Sequence, residues 1–578
     1  MSSEELIFDG LNTSQKEAVI AQEGPLLVVA GPGTGKTLTI VRKIAHLVEK
    51  GVSPEHIVAV TFTNRAARQM RERAEALLGQ VAHHIFIGTF HMLGLKILRD
   101  NVPYDFLLCT RNEQDDLIKK AFGVSVTKAR AIAESISRAK NFVEPLRDEM
   151  KDIFDRYQAE LIENHAFDFD DLILQPIGIL SDSEVLDRYT KRFKHIIVDE
   201  YQDINPAQYR FVRLLAGDSG CICAVGDPDQ AIYAFRGADV TNFLNFEKDF
   251  IDTKQIKLTE NYRSTGTILH ASNMVVKNNT LRIEKEISPM RQAGSRITVV
   301  SVPDERAEGE FIVHEIEARI GGTSHYNLLN AKQSGDFADT SYSFADFAII
   351  YRTNAQGAAI EEAFQASGIP YQVIGGRFAS RKKDMAEIIS HLKAYAGRID
   401  ETLPKENTSM KELLEKALEG QDIHDGDCSY EFIKQFAALY ETGNAAKTLN
   451  DFINELGLIT PQDDFDPRAD AVTLMTLHMA KGLEFRVVFI AGVEDGLLPY
   501  SASGTSDEVE EERRLFYVGM TRAKDELFLA HARTRALFGK AGARTPSPFL
   551  REIPEEFIER KVIPDRVRKR EGKQMELF

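Results

Sequence analysis

Residues 30–37 read AGPGTGKT and stand between an apolar run, PLLVVA, and a segment of helical periodicity, GKTLTIVRKIAHLVEKG. Three closely spaced glycines let the backbone curl so that its N–H groups point inward at phosphate oxygens. The Lys that follows supplies a charge for the β- and γ-phosphates, and the Thr supplies a hydroxyl for Mg²⁺. The stretch therefore predicts a nucleotide-binding loop between a strand and a helix, made by Ala30, Gly31, Pro32, Gly33, Thr34, Gly35, Lys36 and Thr37.

A second apolar run, KHIIVDE, ends in two carboxylates, Asp199 and Glu200. Taken alone, the two acids could be a helix cap and its solvated neighbour. Combined with the loop, they favour a hydrolytic site in which Asp199 joins Thr37 in holding Mg²⁺ and Glu200 orients and deprotonates water. The two features predict hydrolysis of a nucleoside triphosphate, but they do not say what the energy is used for.

Three further segments place polar and aromatic residues directly after predicted strands: TFTN, GTFH and GDPDQAIYAFRGAD. Ligands of an open parallel sheet bind beyond the carboxyl ends of its strands, so we expect these groups on one edge, beside the nucleotide. Aromatic faces stack on bases of any identity, at about 1–3 kcal/mol per base. Each aromatic could instead belong to the core, but three such clusters favour a nucleic-acid site. Gln230 is assigned to the γ-phosphate or its attacking water, and the assigned DNA contacts are Phe62, Asn64, His91, Tyr233, Phe235 and Arg236.

Two arginines are candidates for sensing the γ-phosphate. Arg263 lies in ENYRS, and Arg522 lies in the helical stretch EEERRLFYVGMTRA. Either could be an ordinary surface salt-bridge residue. If both reach one phosphate, ATP binds in a cleft between two α/β units, and hydrolysis removes the charge that holds the cleft closed.

The order of apolar and helical runs predicts a duplicated α/β architecture, with a parallel doubly wound sheet in each half. Each half is interrupted by a polar helical segment, in the first of which the pattern predicts no strand. The predicted domains are a first ATPase domain (1–91 and 190–266), its helical insertion (92–189), a second domain (267–396 and 469–555), a short helical insertion (397–468), and a flexible basic tail (556–578).

Composition limits the binding partners, the metal sites and the cellular compartment that we expect for this protein. The 578 residues carry a formal net charge of −17, which opposes binding to phosphates unless a local basic groove exists. The four cysteines form no CxxC pair, so we expect no zinc or iron–sulfur site and a cytoplasmic, reducing environment. The N-terminus is acidic without an apolar signal core, and the apolar runs are too short to cross a bilayer.

The ordered set of motifs, from about residue 5 to about 540, resembles the UvrD/Rep/PcrA family of superfamily 1 DNA helicases. The set comprises LNTSQ, AGPGTGKT, TFTNRAA, GTFH, VDEYQD, GDPDQAIYAFRGAD, ENYRS, YRTNAQ, VTLMTLHMAKGLEF and EEERRLFYVGMTRA. The resemblance implies two RecA-like domains, ATP with Mg²⁺, single-stranded and forked DNA as substrates, and 3′→5′ movement. It also implies that Gln15 reads adenine, that Tyr262 stacks on it, that Glu484 meets the ribose and that His478 contacts DNA.

Three departures from the family pattern affect these expectations. Phe235 stands where the family often has Trp, so one stacking surface is smaller, and Leu38 stands where it often has Arg. The second insertion, of about 70 residues, is much shorter than usual, so the regulatory subdomain called 2B looks truncated or rebuilt.

The leading hypothesis is an ATP-dependent helicase in DNA repair or replication restart, acting as a monomer or weak dimer. The alternative is a translocase that strips proteins from single-stranded DNA and unwinds duplex poorly, which the short insertion motivates. A helicase–nuclease subunit is disfavoured because we expect no nuclease domain after residue 555, and no single residue excludes RNA.

The segment 566–578 reads RVRKREGKQMELF. Its pattern Gln-x-x-Leu-Phe resembles the peptides by which bacterial replication and repair proteins bind the sliding clamp. Gln574 would form hydrogen bonds, and Met575, Leu577 and Phe578 would fill an apolar pocket. The alternatives are a chance pattern or a tail that folds back onto its own domain.

Overall fold

The computed structural model describes residues 3–21, 24–142, 145–146, 148–217, 220–321, 342–375, 378–396, 410–419, 430, 433–434, 437, 445–500, 504–537 and 540–565. These residues divide into two compact units. Unit 1 is drawn from 1–259, 282–286 and 377–464, and unit 2 is drawn from 260–281, 287–376 and 465–578. Within the described ranges, no helix has the length and apolar character needed to cross a membrane.

The strands are short, apolar runs, as buried parallel strands usually are. In chain order they are β1 (Leu26–Ala30), β2 (Ile57–Thr61), β3 (Phe86–Thr89), β4 (Leu107–Cys109), β5 (Ala166–Asp168), β6 (His195–Val198), β7 (Ile222–Gly226), β8 (Lys254–Leu258), β9 (Glu260–Asn261), β10 (Ser288–Pro289), β11 (Ile297–Val302), β12 (Phe347–Tyr351), β13 (Tyr371–Val373), β14 (Val472–Thr476), β15 (Phe485–Ile490), β16 (Ala523–Ala532), β17 (Thr534–Leu537), β18 (Lys540–Ala543) and β19 (Ile558–Val562).

Most helices begin at a Ser, Thr, Asp or Asn cap, as expected from the need to satisfy the first backbone N–H groups. In chain order they are α1 (Ser3–Phe8), α2 (Thr13–Ile20), α3 (Lys36–Glu49), α4 (Asn64–Leu78), α5 (Phe90–Asn101), α6 (Arg111–Phe122), α7 (Val126–Lys140), α8 (Asp148–Glu163), α9 (Asp171–Ile179), α10 (Ser183–Arg192), α11 (Pro206–Ala216), α12 (Thr241–Leu244), α13 (Phe246–Asp249), α14 (Gly266–Val276), α15 (Glu305–Ile320), α16 (Asn354–Ser367), α17 (Phe378–Ala396), α18 (Met410–Ala417), α19 (Ala445–Leu456) and α20 (Ser506–Met520).

The sheet of unit 1 has the order β3-β2-β6-β7-β1-β8, and every pairing in it is parallel. Two apolar cores cover its two faces, one containing Val29 and Val198 and the other containing Val28 and Ile197. Because β1–β3 and β6–β8 share one sheet, the chain between β3 and β6 is an insertion in that sheet.

The larger sheet of unit 2 has the order β13-β14-β12-β15-β16-β11-β19 and is also parallel throughout. Its edge strand β19 lies inside the range predicted as a flexible tail (556–578), because the backbone of Ile558–Val562 pairs with β11. The pairing of β12 with both β14 and β15 again joins strands from either side of an interruption in the chain. Two parallel sheets flanked by helices confirm the predicted fold class, a pair of RecA-like doubly wound domains.

The first insertion differs from its prediction in one respect. β4 and β5 pair in parallel inside it, where the sequence pattern predicted no strand. That prediction is wrong because a three-residue strand is too short to show the alternation by which strands are recognised.

The second insertion, although it interrupts the sheet of unit 2 in sequence, packs with unit 1. Lys393 of α17 forms a 2.8 Å ion pair with Glu113, and Asn454 of α19 accepts a 2.9 Å hydrogen bond from the N–H of Leu108. The predicted boundary at 397 had assigned α17 to the second ATPase domain, whereas the compact unit that contains α17 is unit 1.

Candidate active site and DNA groove

The predicted nucleotide loop joins β1 to α3 in unit 1. Gly33 and Gly35 adopt positive φ angles of 68° and 83°, a region in which residues with a Cβ are strained. The hydroxyl of Thr34 donates to the carbonyl of Gly31 at 2.8 Å and closes the turn. A curled loop of this kind, ending at a helix N-terminus, presents backbone N–H groups and a positive dipole to an anion.

Gln15 lies against this loop. Its side-chain amide donates to the carbonyl of Thr34 at 3.0 Å, and its side-chain oxygen accepts from the N–H of Asn12 at 3.0 Å. A Cβ on Gly35 would lie 2.6 Å from the Gln15 amide nitrogen, so glycine is required for this approach. The contact fixes Gln15 beside the loop, and its reading of adenine stays a prediction.

The two predicted carboxylates follow β6. The Lys36 ammonium lies 3.0 Å from Oε1 of Glu200, and Asp199, which is buried, accepts a hydrogen bond from the N–H of Glu200 at 3.0 Å. Glu200 has a φ of 52°, in the left-handed region. Non-glycine residues held there cluster at functional sites, because the surrounding structure must offset the strain.

Gln202 links the ends of two strands, and sequence reasoning missed it. Its amide donates to Oε2 of Glu200 at 2.6 Å, and its side-chain oxygen accepts from the N–H of Asp227 at 3.0 Å. The available signal was a glutamine two positions after the acidic pair in VDEYQD, too common a residue to single out. Gln202 therefore links the Glu200 carboxylate to the segment that follows β7.

That segment carries Gln230, the residue assigned to the γ-phosphate or its water. Gln230 is buried in a short 3-10 turn, and its amide donates to Oδ2 of Asp227 at 2.6 Å. The structure thus connects Lys36, Glu200, Gln202, Asp227 and Gln230 through hydrogen bonds at the carboxyl ends of neighbouring strands.

A cleft of about 370 Å³ lies in unit 1 beyond the ends of β2 and β3. Five predicted DNA contacts line it: Phe62, Asn64, His91, Phe235 and Arg236. The ring of Phe235 is 58% exposed, and the Arg236 guanidinium lies 5.5 Å from its centre. The cleft thus combines an open aromatic face with a cation, the two features that bind single-stranded nucleic acid.

Tyr233 occupies a different position from Phe235. It is 3% exposed, and its ring stacks on Phe62 with centroids 4.7 Å apart and planes at 23°. Its hydroxyl accepts a hydrogen bond from Gln462 at 3.4 Å. Tyr233 therefore supports the ring of Phe62 from behind, and its own stacking on a base stays a prediction.

The second insertion contributes to the same cleft. The side-chain amide of Asn64 donates to the carbonyl of Leu458 at 2.8 Å and to Asp463 at 3.2 Å. Leu458 and Thr460 line the cleft beside Asn64. The chain that follows α19 therefore forms part of the wall.

His91 pairs with an aromatic residue that sequence reasoning missed. Its ring centre lies 3.8 Å from that of Phe169, which lines the cleft and is 42% exposed. Burial lowers the pKa of His91 to about 3, so the ring is neutral at neutral pH. The missed signal was the aromatic–acidic alternation in HAFDFDDL, at the end of the first insertion.

Unit 2 holds the remaining nucleotide candidates. Arg263 donates to Oε2 of Glu484 at 2.7 Å, and Lys524 lies 2.8 Å from Oε1 of the same carboxylate. Although burial opposes ionisation, the two cations lower the pKa of Glu484 to about 2. Tyr262 is largely exposed and donates from its hydroxyl to Glu260 at 2.6 Å. The structure thus brings Arg263 and Glu484 together, with Tyr262 next to Arg263 in the chain.

Arg522 and His478 also lie in unit 2. The buried guanidinium of Arg522 donates to the carbonyl of Val518 at 2.9 Å and to that of Leu483 at 3.2 Å. His478 follows β14 and is partly exposed. Their contacts with phosphate and with DNA stay predictions. The predicted clamp-binding residues Gln574, Leu577 and Phe578 lie outside the described residues.

A glycine-rich loop after β1 and an acidic pair after β6, in one of two RecA-like sheets, define a P-loop nucleoside triphosphatase. Comparisons with known proteins identify the family. The profile of the UvrD/REP helicase N-terminal domain matches residues 11–251. That of the UvrD-like helicase C-terminal domain matches residues 256–420 and 427–534. The chain belongs to the UvrD/Rep helicase family, which confirms the resemblance inferred from the motifs.

Two curated relatives match over almost the whole chain. The ATP-dependent DNA helicase PcrA of Staphylococcus aureus (strain Mu50 / ATCC 700699) is 35% identical over an alignment of 656 positions, which covers 96% of this chain and 87% of that protein. The ATP-dependent DNA helicase PcrA of Bacillus subtilis (strain 168) is 35% identical over an alignment of 658 positions, with the same coverage.

Proposed function

We propose that this helicase hydrolyses ATP to move 3′→5′ along single-stranded DNA and to unwind duplex DNA, in repair or replication restart. One observation carries the proposal. The nucleotide loop, the Glu200 network and the aromatic cleft all lie at the carboxyl ends of strands of one sheet. A structural change that hydrolysis causes at the nucleotide loop would therefore occur next to the surface that would hold DNA. The PcrA relatives, named as ATP-dependent DNA helicases, support the same activity.

Mg²⁺ fits the oxygen donors available beside the nucleotide loop. Thr37 is the second residue of α3 and is partly exposed, and Asp199 directly follows the buried strand β6. Mg²⁺ is usually held by one or two carboxylates together with substrate phosphates and water, so this small set suffices. The ion would neutralise charge on the β- and γ-phosphates. Lys36 would bind the same phosphates, and Glu200 would orient water for attack.

DNA would bind in the cleft through base stacking on Phe62 and Phe235, with Arg236 beside the backbone. Because every base has a π-face, we expect little sequence preference. One stacking contact, about 1–3 kcal/mol, is comparable to one duplex step of about 1.4 kcal/mol. Stacking alone thus cannot drive strand separation, and cycles of ATP hydrolysis must alternately tighten and release the grip.

A protein-stripping translocase is the second candidate. The short insertion favours it, because its contacts through Lys393 and Asn454 lie within unit 1, where the insertion forms part of the cleft wall. The surface of the insertion that packs against unit 1 is not available to bind duplex DNA ahead of the motor.

Strand displacement on duplexes with a 3′ tail or a 5′ tail, in parallel with displacement of streptavidin from biotinylated single strands, tests both candidates. We expect unwinding of the 3′-tailed substrate alone, and no activity from the Glu200→Gln variant, which serves as the hydrolysis control. Unwinding from a 5′ tail would overturn the polarity. Fast streptavidin displacement with negligible unwinding would select the second candidate.

A further inference from the structure

Residues 282–286, here called the strap, return to unit 1 from unit 2. The chain enters unit 2 after residue 259, comes back for these five residues and leaves again at 287. The Lys257 ammonium donates to the carbonyl of Glu284 at 2.8 Å, and Ile283 packs against the core of unit 1. The strap is therefore anchored on the unit that holds the nucleotide loop.

Two strap cations neutralise two fully buried carboxylates. The Lys285 ammonium lies 2.6 Å from Oδ1 of Asp227 and also bonds Asp229, and Arg282 lies 2.9 Å from Asp229. Although burial opposes charge on Lys285, the attraction of the two carboxylates raises its pKa, so it is a cation at neutral pH. Removing one partner of such a cluster leaves a buried charge uncompensated.

The carboxylate that Lys285 holds is the one that holds Gln230. Lys285 bonds Oδ1 of Asp227, and the Gln230 amide donates to Oδ2 at 2.6 Å. Because a carboxylate is planar, a bond that fixes one oxygen also fixes the direction in which the other accepts. Arg282 pairs with Asp229 and, among the described residues, forms no ion pair with Asp227, so the two strap cations differ in their connection to Gln230.

We propose that Lys285 is a positioning residue for ATP hydrolysis, acting through Asp227 to hold the Gln230 side chain in its hydrolytic orientation. The inference rests on the proposed role of Gln230 at the γ-phosphate or its water. It assigns a function to LRIEK, a segment outside the motifs that identify the family.

Two charge-balanced double variants separate positioning from stability. Lys285→Met with Asp229→Asn removes the bond to Asp227, whereas Arg282→Met with Asp229→Asn keeps it, and both remove one cation and one anion. In DNA-stimulated ATPase assays, the first should lower kcat by about 10- to 100-fold, the range seen for side chains that orient metal ligands from outside the metal's ligand set, with KM for ATP little changed. The second should keep kcat. Equal kcat in the two, at matched melting temperatures, would overturn the inference.

Combination with Gln230→Ala tests the route of action. If Lys285 acts through Gln230, adding Gln230→Ala to the Lys285→Met, Asp229→Asn background should lower kcat little further, because the orientation is already lost. Independent, multiplicative losses would overturn the inference while leaving Gln230 in its role. Full activity of Gln230→Ala alone would instead overturn the proposed role of Gln230, and with it the inference.

Discussion

The ammonium of Lys36 lies 3.0 Å from Oε1 and 3.2 Å from Oε2 of Glu200, so the residue expected to bind phosphate is paired with the residue expected to activate water. A bound phosphate would compete with Glu200 for Lys36. Nucleotide binding would then free the Glu200 carboxylate to orient the attacking water. Hydrolysis would thus be coupled to the presence of bound nucleotide.

Lys36→Ala and Glu200→Gln should both abolish ATP turnover, but they should affect ATP binding differently. Lys36→Ala removes the positive charge that binds the phosphates and should weaken ATP affinity. Glu200→Gln removes only a carboxylate that competes for Lys36, and it should leave ATP affinity unchanged or increased. Titration with a fluorescent ATP analogue, beside a steady-state ATPase assay, measures both. An equal loss of affinity in the two variants would contradict the assigned roles.

Phe235→Ala should weaken binding to single-stranded DNA by roughly 1–3 kcal/mol, because an exposed stacking face is lost. The slope of log K against log[salt], about −0.7 per phosphate neutralised, should stay the same because no cation is removed. Fluorescence anisotropy at several salt concentrations measures both quantities. Ile251→Ala, at another exposed apolar residue that does not line the cleft, is the matched control and should have no effect. A changed slope at constant intercept would show that Phe235 does not stack.

Glu484→Gln should lower the melting temperature at neutral pH, since it removes the ion pairs with Arg263 and Lys524. These pairs depress the pKa of Glu484 to about 2 from an ordinary value of about 4.3, so the folded state releases this proton more readily than the unfolded chain. The stabilisation is complete above the ordinary pKa and is lost as pH falls toward 2. The gap between the melting temperatures of the two proteins should therefore stay constant from pH 7 down to about the ordinary pKa and narrow, without closing, as pH falls to about 3.5. A gap that stays constant over the whole range would rule this out.

Gly226→Ala and Gly178→Ala should change stability in opposite directions. A Cβ at Gly226 would lie 2.2 Å from the Gln202 oxygen and 2.7 Å from the ring of Phe243, both buried, at a cost of roughly 1–3 kcal/mol. A Cβ at Gly178, in α9, meets no atom within 4 Å and should stabilise by about 0.4–1 kcal/mol through the unfolded chain. Urea denaturation compares the two, and destabilisation by both would refute the local packing argument.

A peptide of residues 566–578 should bind the sliding clamp of the same organism, through Gln574 and the apolar pair Leu577 and Phe578. The basic residues before the motif should add salt-dependent attraction to an acidic face. Fluorescence polarisation with the labelled peptide measures binding, and a Leu577→Ala, Phe578→Ala peptide is the control. Equal binding of both peptides, or binding of neither, would exclude a docking role.

The sequence by itself determined the nucleotide loop, the acidic pair and the clustering of polar and aromatic residues at strand ends. These features follow from adjacent residues, because glycine spacing sets the loop and an apolar run sets the strand that precedes each group. The carboxyl ends of parallel strands share one edge of a sheet, so their assembly could also be inferred. The family followed from the order of the motifs, which is a property of the chain alone.

Only the tertiary structure decided how individual side chains are used. Tyr233 is buried against the ring of Phe62, whereas Phe235, two residues later, is exposed to solvent. The two residues are both aromatic, so the sequence alone does not predict this difference. Phe169 reaches His91, and Lys285 reaches Asp227, from segments far apart in sequence. Such contacts depend on which elements pack together, and they produce no periodic pattern in the sequence. The sequence therefore indicated which edge of the sheet carries the site. It did not indicate the residues that hold the site's side chains in place.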